Sequence, residues 1–205
     1  MINKGDVLLK VELINYMPNM VETMARAVSK CYDTEPKESV VKGCIKSKHT
    51  SVTEHSYYSF EVSGVSRSFL AQLTRHRHLS PTVESLRYTS KENEFTYVVP
   101  PSILNNHKSM IIFLNSMNKA EETYNKLLER GIKKEDARFV LPIATEVKMV
   151  VSGNYRAWMD FCRLREDKHS QWEIREFAFE VDKLIHKVTP LTTYQEIFGY
   201  TEDVE

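Results

Sequence analysis

The chain has 205 residues, 41% of them hydrophobic and 27% charged, which suits one globular domain with a sizeable core. Its 28 lysine and arginine residues balance 28 aspartate and glutamate residues, which argues against a general basic coat for nucleic acid. No apolar run approaches the roughly 20 residues of a membrane-spanning helix, so we expect no membrane partner.

The first part of the chain is predicted to alternate between strands and helices. Partial apolar alternation predicts a strand, and three- and four-residue apolar spacing predicts helices. The elements are a strand over residues 7–14, helices over 18–32 and 37–48, a strand over 54–63, and a helix after residue 66. Gly64 is expected to end the second strand, and Ser66 is expected to cap the helix that follows it. Pro81 is expected to stop any further helix.

The second part is predicted to be mostly helical. The elements are a strand over residues 95–99, helices over 106–130 and 134–141, a strand over 145–151, and helices over 154–166 and 170–188. Gly131 is a suitable residue to follow the longest helix, because it tolerates a left-handed backbone conformation. The whole pattern predicts an α+β fold that is mostly helical, with no repeat and no clear domain boundary.

The cysteines and the N-terminal residues indicate in which cellular compartment we expect the protein. Cys31, Cys44 and Cys162 lie far apart and do not form the CxxC pair of a zinc or redox site. No apolar leader stretch follows Met1. We therefore expect reduced, mostly buried thiols in a cytoplasmic protein.

Residues 75–90, RHRHLSPTVESLRYTS, combine basic side chains with hydroxyl groups. Arginine binds phosphate and carboxylate through paired hydrogen bonds, and Arg75, Arg77 and Arg87 all lie in this stretch. The hydroxyl side chains add donors and acceptors. The mixture favours a ligand that carries both a phosphate and a heterocycle, and a solvated charged face is the alternative.

Three other interpretations of this stretch have weaker support. His76 and His78 are two residues apart without an HExxH motif or a cysteine at zinc spacing, so we expect no metal site. Ser85 does not lie in the GxSxG turn of a nucleophilic serine. No helix-turn-helix pattern is present that would place a helix in a DNA groove.

The stretch resembles the signature of the flavin-dependent thymidylate synthases. That signature is Arg-His-Arg, seven residues, and Ser, which here is RHR at 75–77 and Ser85, followed by Arg87 and Tyr88. Other segments resemble the motifs of the family in the same order, namely HTSVTEH at 49–55, Gln72, EDARFVLP at 135–142, NYR at 154–156, and residues 164–174. Several spaced motifs in order are more specific than one short signature.

The resemblance implies an enzyme that makes dTMP from dUMP. It implies methylenetetrahydrofolate as carbon donor, FAD as redox carrier and NADPH as reductant. The implied fold is a single α+β domain over residues 1–205, with a central, mostly antiparallel sheet and flanking helices. It also implies a homotetramer whose active sites are each built from several chains.

The resemblance also assigns roles to residues, position by position. The residues expected to bind dUMP are Gln72, Arg75, Glu84, Ser85, Leu86, Arg87, Arg138 and Arg165. Those expected to bind FAD are Ser51, Glu54, Arg75, His76, Arg77, His78, Asn154, Arg156, Asp160, Leu164 and His169. Those expected to take part in catalysis are Arg165, His49 and Arg75. Charge that builds on the uracil carbonyl oxygens would be stabilised by the two arginines.

The chain departs from the family pattern at two positions. Val83 stands where many members have Glu or Gln, with Glu84 directly before Ser85, and Asp160 stands where some members have Asn. The rings of Tyr88 and Trp172 are expected either to stack on a ligand or to lie in the core.

A non-catalytic nucleotide- or RNA-binding module that uses the arginine cluster is the alternative function. The balanced charge and the absence of a known RNA-binding signature count against it.

Overall fold

The described residues, 7–92, 95–189 and 191, form a four-stranded antiparallel sheet in the computed structural model. The strands are β1 (Lys10–Tyr16), β2 (Tyr58–Ser66), β3 (Ser80–Val83) and β4 (Glu146–Gly153). Their order is β1-β2-β4-β3, so β1 and β3 are the edges of the sheet. The α+β class and the antiparallel sheet with flanking helices are confirmed.

Helices account for most of the regular structure. They are α1 (Met20–Tyr32), α2 (Glu38–Lys46), α3 (Arg67–Leu73), α4 (Pro101–Leu104), α5 (His107–Glu129), α6 (Lys134–Ala137), α7 (Tyr155–Arg165) and α8 (Trp172–Val188). Short 3-10 helices cover Thr50–Glu54 and Arg138–Val140. None of the helices in the described part of the chain is long and apolar enough to cross a membrane. Residues 1–6, which bear on the expected lack of a leader stretch, lie outside the described residues.

Side-chain caps fix the first residues of four helices in the described part of the chain, and that of α8 is Gln171, which accepts from the N–H groups of Glu173 and Ile174. The Ser66 hydroxyl accepts a hydrogen bond from the Phe69 N–H at 3.1 Å, which confirms the predicted cap of α3. Asn106 and Asn154 cap α5 and α7 in the same way. Each cap pairs a backbone donor that would otherwise lack a partner, and stabilises its helix by about 1 kcal/mol.

The end of α5 follows the sequence prediction. Gly131 has φ +79°, the left-handed conformation that glycine adopts without strain. Its N–H donates to Leu128 O at 2.8 Å, and the Ile132 N–H donates to Leu127 O at 3.0 Å. These two hydrogen bonds form a Schellman motif, which pairs the last carbonyls of the helix.

The segment before β2 differs from its prediction. A strand was expected from residue 54, but residues 50–54 form a 3-10 helix and β2 begins at Tyr58. Two side chains explain the difference, because Thr53 Oγ1 donates to Thr50 O at 2.6 Å and Ser56 Oγ donates to Thr53 O at 2.8 Å. Such local side-chain bonds compete with the backbone pairing of a strand.

Gly64 does not end β2, contrary to the sequence prediction, because the strand continues to Ser66. Its backbone has φ +70°, and its N–H donates to Glu146 Oε1 at 3.0 Å. A Cβ atom at this position would lie 1.8 Å from Leu8 O. Glycine is therefore required here by a close backbone approach inside the strand rather than by a turn.

The remaining differences lie around β3 and residues 95–99. The predicted strand over 95–99 is reduced to a single bridge between Tyr97 and Thr145. β3 was not predicted, since Pro81 within it lacks the N–H of a regular strand residue. Its place at a sheet edge explains why the proline is tolerated.

Backbone contacts divide the chain into two units. Unit 1 comprises Met1–Lys10, Val62–Leu73 and Thr82–Met149, and unit 2 comprises Val11–Glu61, Thr74–Pro81 and Val150–Glu205. The core of unit 1 includes Phe95, Tyr97, Val99, Met110 and Met117. The single domain over residues 1–205 stays a prediction.

Aromatic side chains form the core of unit 2 where α7 packs on α8. Trp158, Phe161 and Phe177 are completely buried. Their rings meet edge to face, with the centroids of Phe161 and Phe177 5.5 Å apart. Truncating a buried aromatic side chain to alanine costs about 3–5 kcal/mol, so this cluster holds the two helices together.

We expect Gly64→Ala to destabilise the protein severely. The left-handed φ alone costs about 1–3 kcal/mol for a residue with a Cβ, and the contact with Leu8 O adds to this cost. Urea denaturation measures the change. Gly43→Ala in α2 is the matched control, because no atom lies within 4 Å of the added methyl group and alanine favours a helix. Equal stabilities of the two variants would contradict the expectation.

Candidate active site

The predicted site residues form two groups, one in each unit. The histidine–arginine group belongs to unit 2 and comprises His49, Ser51, Glu54, Arg75, His76, Arg77, His78, Asn154, Arg156, Asp160, Leu164, Arg165 and His169. The serine–arginine group belongs to unit 1 and comprises Gln72, Glu84, Ser85, Leu86, Arg87 and Arg138. Each group has its own pocket.

The pocket of the histidine–arginine group has a volume of about 320 Å³ and lies at the N-terminus of α7. Its lining residues are Glu54, His78, Asn154, Arg156, Ala157 and Asp160. All of them except Ala157 were predicted to bind FAD. The structure thus brings together five residues from three separate segments of the sequence, around residues 54, 78 and 154–160.

Two side chains fix the first turn of α7 at this pocket. Asn154 Oδ1 accepts a hydrogen bond from the Ala157 N–H at 2.8 Å. The buried Ser56 hydroxyl accepts one from the Tyr155 N–H at 2.7 Å. A helix N-terminus carries a partial positive charge, so the end of α7 favours an anionic group in the pocket. Ser56 was not predicted as part of the site, because a serine inside a predicted strand gives no signal of this bond.

Arg156 and Glu54 form an ion pair at the pocket, between Nη1 and Oε1. Their side chains are 43% and 48% exposed. A pair as exposed as this one is worth about 0–1 kcal/mol. An anionic ligand can therefore replace Glu54 as the partner of Arg156 at little cost in free energy.

His76 and Arg165 form the second part of the histidine–arginine group. Arg165 Nε donates to His76 Nε2 at 2.8 Å, and the imidazole lies edge to face against Phe161 with centroids 4.8 Å apart. Burial, followed by the positive charge of Arg165, lowers the pKa of His76 to about 4. The ring is therefore neutral at pH 7 and accepts through Nε2, so that its proton lies on Nδ1.

Arg75 adds a second positive charge beside Arg165. Burial, followed by this neighbouring charge, lowers the pKa of Arg165 from its ordinary value. Two guanidinium groups that repel each other favour an electron-rich oxygen placed between them. This arrangement fits the role expected of the two arginines at the uracil carbonyl oxygens.

Several other predicted members of this group are exposed. His49 lies at the start of the 3-10 helix, and Ser51, Arg77 and His78 are also exposed. Leu164 is 56% exposed at the end of α7. The backbone N–H of His169 donates to Asp167 Oδ1 at 2.8 Å in the following loop. Their positions leave these side chains accessible to a ligand.

In unit 1, a tight turn fixes Ser85 and Arg87. The Ser85 carbonyl accepts hydrogen bonds from the N–H groups of Tyr88 at 3.0 Å and Thr89 at 2.9 Å. Arg87 donates through Nε to Glu135 Oε2 at 3.0 Å, and its Nη2 lies 3.0 Å from the same oxygen. The arginine is thus held by a carboxylate from α6.

The pocket beside this turn is rich in positive charge. Its volume is about 370 Å³, and its lining residues are Arg87, Tyr88, Lys133, Lys134 and Glu135. Three cationic side chains and one carboxylate give it a local excess of positive charge. An anion with more than one oxygen, such as a phosphate, is the ligand class that suits it.

Arg138 and Leu86 have definite surroundings in the structure. Arg138 Nε donates to the backbone carbonyl of Glu135 at 3.0 Å. The Glu135 carboxylate is bound by Arg87. Leu86 is 4% exposed, which limits a direct contact with a ligand to its backbone.

Glu84 has a buried partner that the sequence analysis missed. Lys91 Nζ lies 3.2 Å from Glu84 Oε2, and the two side chains are only 6% and 18% exposed. The Glu84 N–H also donates to Lys148 O at 2.8 Å. Lys91 lies in a polar stretch without periodicity, so no sequence signal marks it as buried. Val83, one of the two departures from the family pattern, is half-buried in β3.

Arg67 is a third residue that was not predicted from the sequence. Its Nη1 atom is buried and has no hydrogen-bond partner. Burial, followed by the charge of Arg138, lowers the pKa of Arg67, and Glu84 opposes this shift. The structure therefore adds a third arginine to the serine–arginine group. Of the two aromatic rings considered for stacking, Tyr88 is 74% exposed and Trp172 is half-buried.

Comparison with protein families gives a match over nearly the whole chain. Residues 12–191 match the family described as "Thymidylate synthase complementing protein". The relatives that the chain matches include several proteins named "Flavin-dependent thymidylate synthase". The protein from Clostridium tetani is 33% identical over 89% of this chain and 84% of its own length. The protein from Haloarcula marismortui is 38% identical over 77% of this chain and 74% of its own length. The protein from Pyrococcus abyssi is 35% identical over 88% of this chain and 80% of its own length.

The lowered pKa of His76 predicts a pH dependence of stability. Because the pKa is about 4 when folded and 6.5 in the ordinary state, the unfolded chain binds more protons between these values. The contribution of the neutral His76 to the free energy of unfolding is therefore fully present above pH 6.5 and is lost as the pH falls towards 4. We expect His76→Gln to lose less stability over this window in urea denaturation. His55→Gln, at an exposed position, should behave like the wild type. An equal loss in His76→Gln would rule out this role of His76.

Proposed function

The chain belongs to the family of flavin-dependent thymidylate synthases, and from this premise we propose the substrates and the roles of its residues. As a member it is a flavin-dependent enzyme that methylates dUMP to dTMP. We propose methylenetetrahydrofolate as its carbon donor, FAD as its flavin and NADPH as its reductant. The observation that carries the proposal is the convergence of five predicted FAD residues on one pocket at the N-terminus of α7.

The donor set of this pocket fits the diphosphate of FAD. The capped N-terminus of α7 offers a partial positive charge, and Arg156 and His78 add side-chain donors. The weak pair with Glu54 allows Arg156 to turn to an anion. Arg77, which is exposed, is a further candidate to bind the diphosphate. Asn154 is a candidate to hydrogen-bond the edge of a ring of FAD. When bound, FAD supplies the redox chemistry of the reaction.

In unit 1, the pocket beside Ser85 supports a role in binding the dUMP phosphate. Arg87 would exchange the Glu135 carboxylate for the phosphate, and the Ser85 hydroxyl and Lys134 would add donors. Arg138, Gln72 and Glu84 remain proposed dUMP residues. The buried pair with Lys91 keeps the Glu84 carboxylate in one orientation next to Ser85.

We assign Arg165 and Arg75 to charge stabilisation. Negative charge builds on the uracil carbonyl oxygens during carbon transfer, and a pair of guanidinium groups held in advance lowers the free energy of that state. His76 fixes the orientation of Arg165 through its neutral Nε2. His49, which is exposed, is proposed to hydrogen-bond the folate or the flavin through its imidazole.

We propose a homotetramer, and exposed apolar side chains support this assembly. Phe139 is 83% exposed, and Ile143 and Ile112 are each 72% exposed, all within unit 1. Large exposed apolar side chains in one part of a protein are typical of an interface with another chain. A cytoplasmic location is also proposed, supported by three free cysteines.

The test of the proposed function is the purified protein itself. After addition of FAD and removal of the unbound cofactor, we expect a flavin absorption spectrum and a tetramer in sedimentation. With dUMP, methylenetetrahydrofolate and NADPH, dTMP should form. Arg156→Ala should bind FAD more weakly, while Arg26→Ala, which breaks another exposed arginine–glutamate pair, should not. A colourless protein that forms no dTMP would refute the proposal.

Arg87→Ala should weaken the binding of dUMP without changing that of FAD. Hydrogen bonds to a charged group contribute about 1.5–3 kcal/mol, so the dissociation constant should rise roughly 10- to 100-fold. Isothermal titration with dUMP measures it, and Arg26→Ala is again the matched control. An unchanged dUMP affinity would remove Arg87 from the phosphate site.

A further inference from the structure

Four potential metal ligands lie between α7 and α8, outside the pockets described above. Cys162 and Glu166 are four residues apart at the C-terminal end of α7, and Asp182 and His186 are four residues apart on α8. Residues at this spacing lie on the same face of a helix. Because α7 and α8 pack against each other, the two pairs meet across their interface.

The ligand atoms of this cluster are close together. The Cys162 sulfur and one carboxylate oxygen each from Glu166 and Asp182 all lie within 4.8 Å of one another. His186 Nε2 lies 3.2 Å from Asp182 Oδ1. Bonds of about 2.1 Å to a tetrahedral zinc ion place its ligands roughly 3.4 Å apart. The histidine and the aspartate already match this spacing. Cys162, Glu166 and Asp182 would have to move closer together around an ion, and His186 would have to turn towards Cys162 and Glu166.

One atom of the cluster is buried without a partner. Glu166 Oε1 is shielded from solvent and has no hydrogen bond, whereas His186 Nε2, which is also shielded, lies beside the Asp182 carboxylate. Cys162 is 2% exposed. An unpaired buried polar atom costs about 1–3 kcal/mol. A cation among these four side chains would pair Glu166 Oε1 and neutralise the two adjacent carboxylates.

We propose that Cys162, Glu166, Asp182 and His186 bind one divalent transition-metal ion, with Zn²⁺ as the best match. Thiolate, imidazole and carboxylate are the ligands that Zn²⁺ takes in proteins, and four of them complete its tetrahedral coordination. Ca²⁺ and Mg²⁺ prefer sites made of oxygen atoms alone, so the thiolate and the imidazole select against them.

The position of the site indicates a structural role. Glu166 directly follows Arg165, which ends α7 in the histidine–arginine group. A metal ion would join this end of α7 to α8 and restrict the movement of Arg165. Metal binding at this site depends only on the four side chains, so it can be tested independently of the proposed thymidylate synthesis.

The experiment is a titration of the tag-free, metal-stripped full chain with Co²⁺ and with Zn²⁺. Tetrahedral Co²⁺ bound to a thiolate gives a charge-transfer band in the near ultraviolet. We expect this band to saturate at one ion per chain and to disappear when Zn²⁺ is added. Thermal unfolding should shift to higher temperature with Zn²⁺, because the ion binds the folded state.

Ligand variants make the test specific. Cys162→Ser should abolish the band, and His186→Gln, on the more exposed side of the cluster, should weaken Co²⁺ binding by at least about 10- to 100-fold. Cys44→Ser, which changes the other buried free cysteine, should leave the band intact. Circular dichroism checks that each variant is folded. No band in the wild type, or a band that persists in Cys162→Ser or is unchanged in His186→Gln, would overturn the proposal.

Discussion

The geometry of unit 2 depends on the buried hydroxyl of Ser56. This hydroxyl donates to Thr53 O and accepts from the Tyr155 N–H, so it ties the 3-10 helix to the first turn of α7. The 3-10 helix carries Glu54, and the first turn of α7 carries Arg156. One buried hydrogen-bonded group therefore sets the distance between two sides of a pocket. A buried polar group with both bonds satisfied specifies a single arrangement, since any other leaves a donor or an acceptor unpaired.

Charge compensation is the second common feature of the molecule. Cationic side chains in or beside the two groups meet carboxylates, as in Arg87 with Glu135 and Lys91 with Glu84. This explains how a chain with equal numbers of basic and acidic residues presents strongly basic sites. The exposed pairs hold their arginines weakly, whereas the buried lysine pair holds Glu84 firmly. Ligand binding in such a site is an exchange of partners, and its affinity should therefore depend on salt concentration.

Much of the fold was predictable because the long helices have regular apolar spacing and recognisable ends. The Ser66 cap and the left-handed Gly131 are local signals, and both are confirmed. The errors lie where tertiary contacts override local preference. Gly64 serves a close backbone approach within β2 rather than a turn, and β3 contains a proline because it pairs at an edge. Lys91 and Ser56 were not predicted, because a buried polar side chain that binds a distant partner leaves no periodic pattern in a sequence.

The edge position of β3 has a consequence for the behaviour of the protein at high concentration. An exposed sheet edge is a template on which strands of other molecules can add, which leads to aggregation. β3 has only four residues, and Pro81 cannot donate a hydrogen bond to an incoming strand. At the opposite edge, β1 carries Lys10 and Glu12 among largely exposed positions. Both edges thus carry features that resist the addition of a further strand, which helps a protein with a central antiparallel sheet to remain dispersed.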